Sequence, residues 1–233
     1  NDVITCGADP VLFLDYLATS KINIKFHQKV LLGIKKACEQ VNITLAGGET
    51  AEMPGFYQNN EYDLAGFCIG IIDKNKIIDI NKIKHNDIII GIESSGLHSN
   101  GFSLVNKLVE KKLLSLNQMS NRSKIGNILL RPTKIYSDII KKIRNRTKGC
   151  AHITGGGISE NLSRILPKKT SALIKVDSWK RPNIFKLIKE KANLSDLEML
   201  STFNCGIGMI VIIDKKNKKS VIRDCNTLNY KTF

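Results

Sequence analysis

Ile43-Thr44-Leu45-Ala46-Gly47-Gly48-Glu49-Thr50-Ala51-Glu52-Met53-Pro54-Gly55 sets an apolar, partly β-branched start against a glycine pair, two carboxylates three residues apart and a Pro-Gly exit. The first four residues read as a short strand. The remainder reads as a glycine-flanked turn at the strand's end, where binding groups usually sit. Glycines let backbone N–H groups approach anionic oxygens, Pro54 fixes the exit, and the carboxylates can hold the Mg²⁺ that accompanies a nucleotide. Residues 47–55 thus describe a cradle for a metal-bound phosphate.

Upstream of this stretch, residues 11–18 form an apolar, partly β-branched and aromatic run interrupted by Asp15, which predicts a buried strand. Phe26, Val30, Leu31, Ile34, Ala37, Cys38 and Val41 then recur at three- and four-residue steps, the pattern of an amphipathic helix. Downstream, residues 63–72 predict a strand carrying Gly66 and Gly70, and the Lys/Asn-rich segment 73–86 has no strong periodicity. A boundary there divides the chain into 1–76 and 77–233. The second part alternates strands expected at 87–93, 150–153, 172–176 and 206–213 with helices expected at 101–112, 132–144, 158–166, 182–192 and 195–200. Such alternation, without a long parallel βαβ series, predicts an α+β layered domain.

Composition narrows the class. The 233 residues can bury a real core, and 42% hydrophobic with 24% charged residues is ordinary for a globular domain. No apolar run approaches the roughly 20 residues that span a bilayer, and no charged-then-apolar opening reads as a secretory signal. Six cysteines lie far apart without a CxxC pair, which favours reduced thiols over structural zinc and points to the cytoplasm. The net charge of +15 would suit a polyanion partner, but the lysines are spread over helix faces and loop tips and aromatics make up only 6%. Solvated faces of a basic enzyme account for the charge better than an RNA-binding surface does.

Three further constellations fall in the second part. Ser94-Ser95-Gly96-Leu97-His98-Ser99-Asn100-Gly101 follows an apolar strand and precedes a helix; its hydroxyls, imidazole and amides suit an anionic ligand, or a cap built on Ser99 or Asn100. Cys150-Ala151-His152-Ile153-Thr154-Gly155-Gly156-Gly157 is a strand ending in a glycine triplet, where backbone can be held close to a ligand. Thr202-Phe203-Asn204-Cys205-Gly206-Ile207-Gly208 leads into another apolar strand. A Cys205 nucleophile with His98 or His152 as base lacks an evident orienting carboxylate.

In this order, the four strings resemble the phosphoribosylformylglycinamidine cyclo-ligase (aminoimidazole ribonucleotide synthetase) family. Asn1-Asp2, Phe13-Leu14-Asp15-Tyr16 and Arg131-Pro132-Thr133-Lys134-Ile135-Tyr136 extend the likeness over essentially the whole chain. The resemblance implies a two-domain fold in which N-terminal domains build a barrel shared by a homodimer and a C-terminal α+β domain completes the cleft. It implies ATP-dependent ring closure of formylglycinamidine ribonucleotide to aminoimidazole ribonucleotide, with ADP and phosphate released, in purine biosynthesis. Related ATP-binding synthetases of the formylglycinamidine or selenophosphate type, and a non-catalytic remnant, are the alternatives.

Carried over by residue, the resemblance makes Glu49 and His98 catalytic, and Asp2 and Glu49 metal-holding. Asp2, Gly47, Gly48, Glu49 and Thr50 take the nucleotide, whereas Ser99, Asn100, Thr154, Gly155, Gly156, Gly157 and Asn204 take the substrate. The family also carries a glycine-rich loop and an Asp-Gly-Val-Gly-Thr-Lys motif upstream of the position of Asn1. The chain is therefore expected to be a piece lacking the N-terminal part and the extreme C-terminus, and inactive by itself; membrane and nucleic-acid partners are not expected.

Overall fold

A computed structural model describes residues 1–120 and 122–233. The chain forms two compact units: Gly7–Ile77, and Asn1–Cys6 together with Ile78–Phe233. The opening residues belong with the second unit because Ile4 is buried in its core and the Cys6 carbonyl accepts from the Ile78 N–H at 2.9 Å.

The unit Gly7–Ile77 is a three-stranded sheet with one helix. β1 (Asp9–Thr19) lies between β2 (Thr44–Glu52), which is parallel to it, and β3 (Tyr62–Ile71), which is antiparallel. The helix α1 (Ile24–Gln40) makes the crossover that a parallel pair requires, and the Asn23 side chain caps its first turn. Of its expected apolar face only Cys38 is fully buried, while Phe26 is exposed. The sheet is lightly covered: nearly every residue of β3 is exposed, including Phe67, Ile69 and Ile71.

Here the structure corrects the opening motif. Gly47 to Glu52 are not a turn; they continue β2 and pair with β1 from Leu14↔Gly47 to Thr19↔Glu52, after a bulge between Phe13 and Leu14. Glycine is needed for packing, since a Cβ on Gly48 would lie 2.1 Å from the Asp15 carbonyl oxygen. The turn starts only at Met53, whose N–H donates to the Thr19 carbonyl.

The second unit is built on the antiparallel sheet β4 (Ile88–Glu93), β8 (Ile207–Ile213) and β7 (Thr147–His152), with β8 central. A two-stranded hairpin, β5 (Met119–Ser120) with β6 (Ser123–Lys124), lies apart from it. All of β8 is buried, as an apolar strand covered on both faces must be. Met209, Val211 and Ile213 pack with α4 (Ser137–Ile143) and α8 (Lys218–Thr227). Ile210 and Ile212 pack with α5 (Gly157–Ser163) and Trp179 on the other face, as the period of two dictates, and Ile207 joins them across the register shift between Ile92 and Glu93. A satellite core joins α2 (Phe102–Glu110), α3 (Ile125–Leu129), α6 (Asn183–Ala192) and α7 (Asp196–Thr202) through Leu108, Phe185, Ile188 and Phe203.

Several expected elements differ. The helix expected from 132 begins only at Ser137, and 131–136 runs as an irregular segment. Residues 172–176 form no strand, although Ile174 and Val176 pack partly against the sheet's core. α8, polar and lysine-rich, was not foreseen. Lys231 and Phe233 add main-chain hydrogen bonds along β4, to the Glu93 N–H and to both groups of Gly91.

Candidate functional site

Because β8 runs against both neighbours, the C-terminal ends of β4 and β7 and the N-terminal end of β8 lie at one end of the sheet. The loops 94–101, 153–156 and 203–206 leave from that end. Asn204 ties two of them: fully buried, its Oδ1 accepts from Ser94 Oγ at 3.0 Å and the Gly206 N–H at 2.8 Å, while its Nδ2 donates to the Gly96 carbonyl at 2.8 Å. The third approaches through Asn100, whose Oδ1 lies 3.7 Å from where a Cβ of Gly155 would stand. The Asn204 amide, expected to meet the substrate, is sealed inside the protein, where it fixes loops.

His98 is also buried, at 3% exposure, and holds its loop from below. Its Nε2 accepts from the Ser95 N–H at 2.9 Å and lies 3.3 Å from the Lys134 N–H, so the ring proton sits on Nδ1, which has no partner. Burial, reinforced by the nearby His152 and Lys134 charges, lowers its pKa to about 4. The ring is neutral at physiological pH. His98 and Ser99 both adopt positive φ, 55° and 60°, a strained conformation that this imidazole holds in place. Ser99 is exposed, and Asn100 Nδ2 donates to the His98 carbonyl at 2.6 Å. Neither Ser99 nor Asn100 caps α2: the N-cap is Gly101, without a side-chain bond.

In the glycine triplet, Gly156 and Gly157 have φ of 88° and 61°. Asn161 Nδ2 donates to the carbonyls of Gly155 and Gly157 at 3.1 and 2.8 Å, and Thr154 Oγ1 is 3.2 Å from Asn161 Oδ1. The triplet is thus held in shape by one buried amide.

Beside it, His152 Nδ1 meets Asp2 Oδ1 at 2.8 Å, and Asn1 Nδ2 lies 3.4 Å from Nε2. An amide donating to Nε2 leaves the imidazole proton on Nδ1, directed at Asp2. The hydrogen bond from His152 holds the Asp2 carboxyl below the usual carboxylate range, and its side chain is 88% exposed, so it stands as an accessible anion.

Asn1 and the segment 131–136 complete the floor and were not expected among the site residues. Asn1 Nδ2 donates to the Lys134 carbonyl at 2.8 Å, and its Oδ1 accepts from the Tyr136 N–H at 3.0 Å. Lys134 Nζ reaches Glu93 Oε1 at 2.8 Å and lies 4.6 Å from the Tyr230 ring centroid, while Tyr136 Oη donates to the Glu93 carbonyl at 2.7 Å. The X-Pro dipeptide was the available signal for an extended segment here.

Glu49, Gly47, Gly48 and Thr50 lie in the other unit. Glu49 is exposed on β2, with Oε1 accepting from the Thr50 N–H at 3.0 Å, and open space surrounds the missing Cβ of Gly47, whose φ is 138°. Gly48 faces Asp15 instead. Glu52 caps a local turn by accepting from the Ile22 N–H at 3.2 Å. Cys205 is fully buried, and burial pushes its thiol up to about 11, so it is not an activated nucleophile. All six cysteines are free. Among the described residues no three His, Cys, Asp or Glu side chains converge into a metal cluster, and no helix is long and apolar enough to cross a membrane.

Family models match both parts: "AIR synthase related protein, N-terminal domain" over residues 1–72 and "AIR synthase related protein, C-terminal domain" over 84–232. The chain belongs to the AIR synthase related family. Similar curated members include phosphoribosylformylglycinamidine cyclo-ligases of Prochlorococcus marinus strain MIT 9312, 47% identical over 97% of this chain and 66% of the relative, and of Thermoanaerobacter pseudethanolicus, 46% identical over 100% and 70%. The chain spans about two thirds of the length of these relatives. Among solved structures, thiamine-monophosphate kinase from Stenotrophomonas maltophilia has the same fold, with a TM-score of 0.73 at 15% identity over 99% of this chain and 70% of that one. Hydrogenase maturation protein HypE from E. coli gives 0.66 at 14% over 97% and 66%. The two-domain architecture expected from the sequence is that of the family.

Proposed function

We propose that the protein of which this chain is part closes the imidazole ring of formylglycinamidine ribonucleotide with ATP, forming aminoimidazole ribonucleotide, ADP and phosphate. The observation that carries this reading is the identity of nearly half its residues with relatives named cyclo-ligases, over nearly the entire chain. The geometry supports it: three loops rich in polar groups meet at one sheet end, with the carboxylate of Asp2 beside them. Phosphoryl transfer is catalysed by positioning and charge neutralisation more than by strong nucleophiles. The inert Cys205 and neutral His98 fit that requirement.

Within this reading Ser99, Asn100, Thr154 and the glycine triplet face the substrate. His98 and Asn204 are positioning residues that hold those loops. Solved proteins of this fold include HypE in complex with ATP and a thiamine-monophosphate kinase complexed with AMPPCP, which supports nucleotide use here. Asp2 and Glu49, both exposed carboxylates, fit as holders of Mg²⁺, which needs only one or two protein carboxylates beside the phosphates. Gly47 and Thr50 are exposed where they would meet the nucleotide; bound with Mg²⁺, it would supply the phosphoryl group that turns the amide oxygen into a leaving group. The unburied apolar row on β3 supports a homodimer built through that strand.

The test is an assay of the protein carried to its relatives' full length, following ADP and aminoimidazole ribonucleotide together. Stoichiometric formation of both is expected; ATP consumption without the imidazole product would contradict the reading.

A further inference from the structure

Next to the first three residues of the loop 94–101 lies a second, unassigned hollow. It has a volume of about 420 Å³, and Ser94, Ser95 and Gly96 share its lining with Arg122, Arg131 and Ser123. Its charge is one-sided: no aspartate or glutamate lines it. Arg122 and Arg131 are exposed, and their guanidinium groups make no ion pair or hydrogen bond with described residues. In the neighbouring hollow along α6, Arg181 and Lys189 both bind Asp196.

Two guanidinium groups left without a counter-ion in one concavity raise the local positive potential, and each offers a planar fork matched to phosphate oxygens. Arg131 is tied to the catalytic-end loop by contact: a Cβ on Gly96 would stand 3.7 Å from its own Cβ. The hydroxyls of Ser120 and Ser123 and the start of α6 at Asn183 and Ile184 complete a lining suited to an anion.

We propose that Arg122 and Arg131 form a phosphate-monoester subsite. Its natural occupant, resting on the reading above, is the ribose 5-phosphate end of the substrate, which would place the reacting amide toward the loops at the sheet end. Free phosphate released by the reaction has the same chemistry and is the competing source.

Calorimetric titration of the chain with ribose 5-phosphate, inorganic phosphate and ribose tests this, with Arg122→Gln and Arg131→Gln as variants and thermal melts confirming that both fold. Expected are saturable binding of ribose 5-phosphate that weakens with salt, no binding of ribose, and about tenfold or greater loss for each variant. Tighter binding of ribose 5-phosphate than of inorganic phosphate supports the sugar-phosphate source; equal binding supports the subsite with released phosphate as its occupant. Absence of binding by both anions, or binding that neither substitution weakens, overturns the subsite. The two readings fail separately. Full-length protein that turns over with a substrate KM and an inhibition by inorganic phosphate both unaffected by either variant sinks the subsite alone, whereas phosphate binding without any turnover sinks the cyclo-ligase reading alone.

Discussion

The unit around β8 and the unit Gly7–Ile77 meet the same physical demand in opposite ways. The first covers both faces of its sheet: every residue of β8 is buried, and helices close over it on each side. The second exposes most of β2 and β3, with Phe67 at 61% and Ile71 at 65%. A sheet with an uncovered apolar face needs other surfaces to be stable. One unit therefore carries its own core and pins its loops with buried amides; the other is built to be completed.

That contrast can be broken most forcefully in the core. Phe203→Ala empties a fully buried site in the satellite core, and should cost about 3–5 kcal/mol in urea unfolding. Loss of less than about 1 kcal/mol would mean that the core is not continuous around α7.

Next comes pH. His98 is neutral in the folded state with a pKa of about 4 against 6.5 when exposed, so below pH 6.5 the unfolded chain binds a proton that the folded one does not. Stability should fall by roughly 3 kcal/mol as pH drops from about 6.5 to about 4, then level off as far as this group is concerned. In His98→Gln that contribution to the slope should vanish, and an unchanged slope would contradict the buried neutral ring.

A smaller effect is expected of Asn204→Ala, which strands the Gly206 N–H, takes one of two donors from the Gly96 carbonyl and should cost about 1–3 kcal/mol while loosening the 94–101 loop in hydrogen exchange. In the open unit, Phe67→Ser should change the stability of the chain by about 0.5 kcal/mol or less. The same change in the full-length protein should shift the proposed dimer toward monomer by sedimentation, which would sharpen the contrast between the two units.

Much of this architecture was legible in the residues. β4 and β8 are dominated by Ile, Val and Met, interrupted by Gly91 and Gly208, α1 has a clear three-to-four period, and the Ser195 and Glu198 capping box marks the start of α7. What misled was composition without context. Gly47-Gly48-Glu49-Thr50 has the residues of a turn, yet parallel pairing with β1 makes it a strand, and only the closeness of Asp15 explains Gly48. Likewise α8 has a polar surface that hides its two buried anchors, Val221 and Cys225. In the site, the polar loops could be read from their residue types. Their mutual placement, the neutral state of His98 and the burial of Asn204 could not, because each depends on contacts across more than a hundred residues or on the depth of the fold.

The central claim is that loops at one end of the β4-β8-β7 sheet form a single binding surface. Hydrogen exchange of the full-length protein, with and without formylglycinamidine ribonucleotide and a non-hydrolysable ATP analogue, addresses it directly. Slowed exchange is predicted together in 94–101, 131–136 and 152–157; protection confined to one of these segments, or found in none, would contradict it.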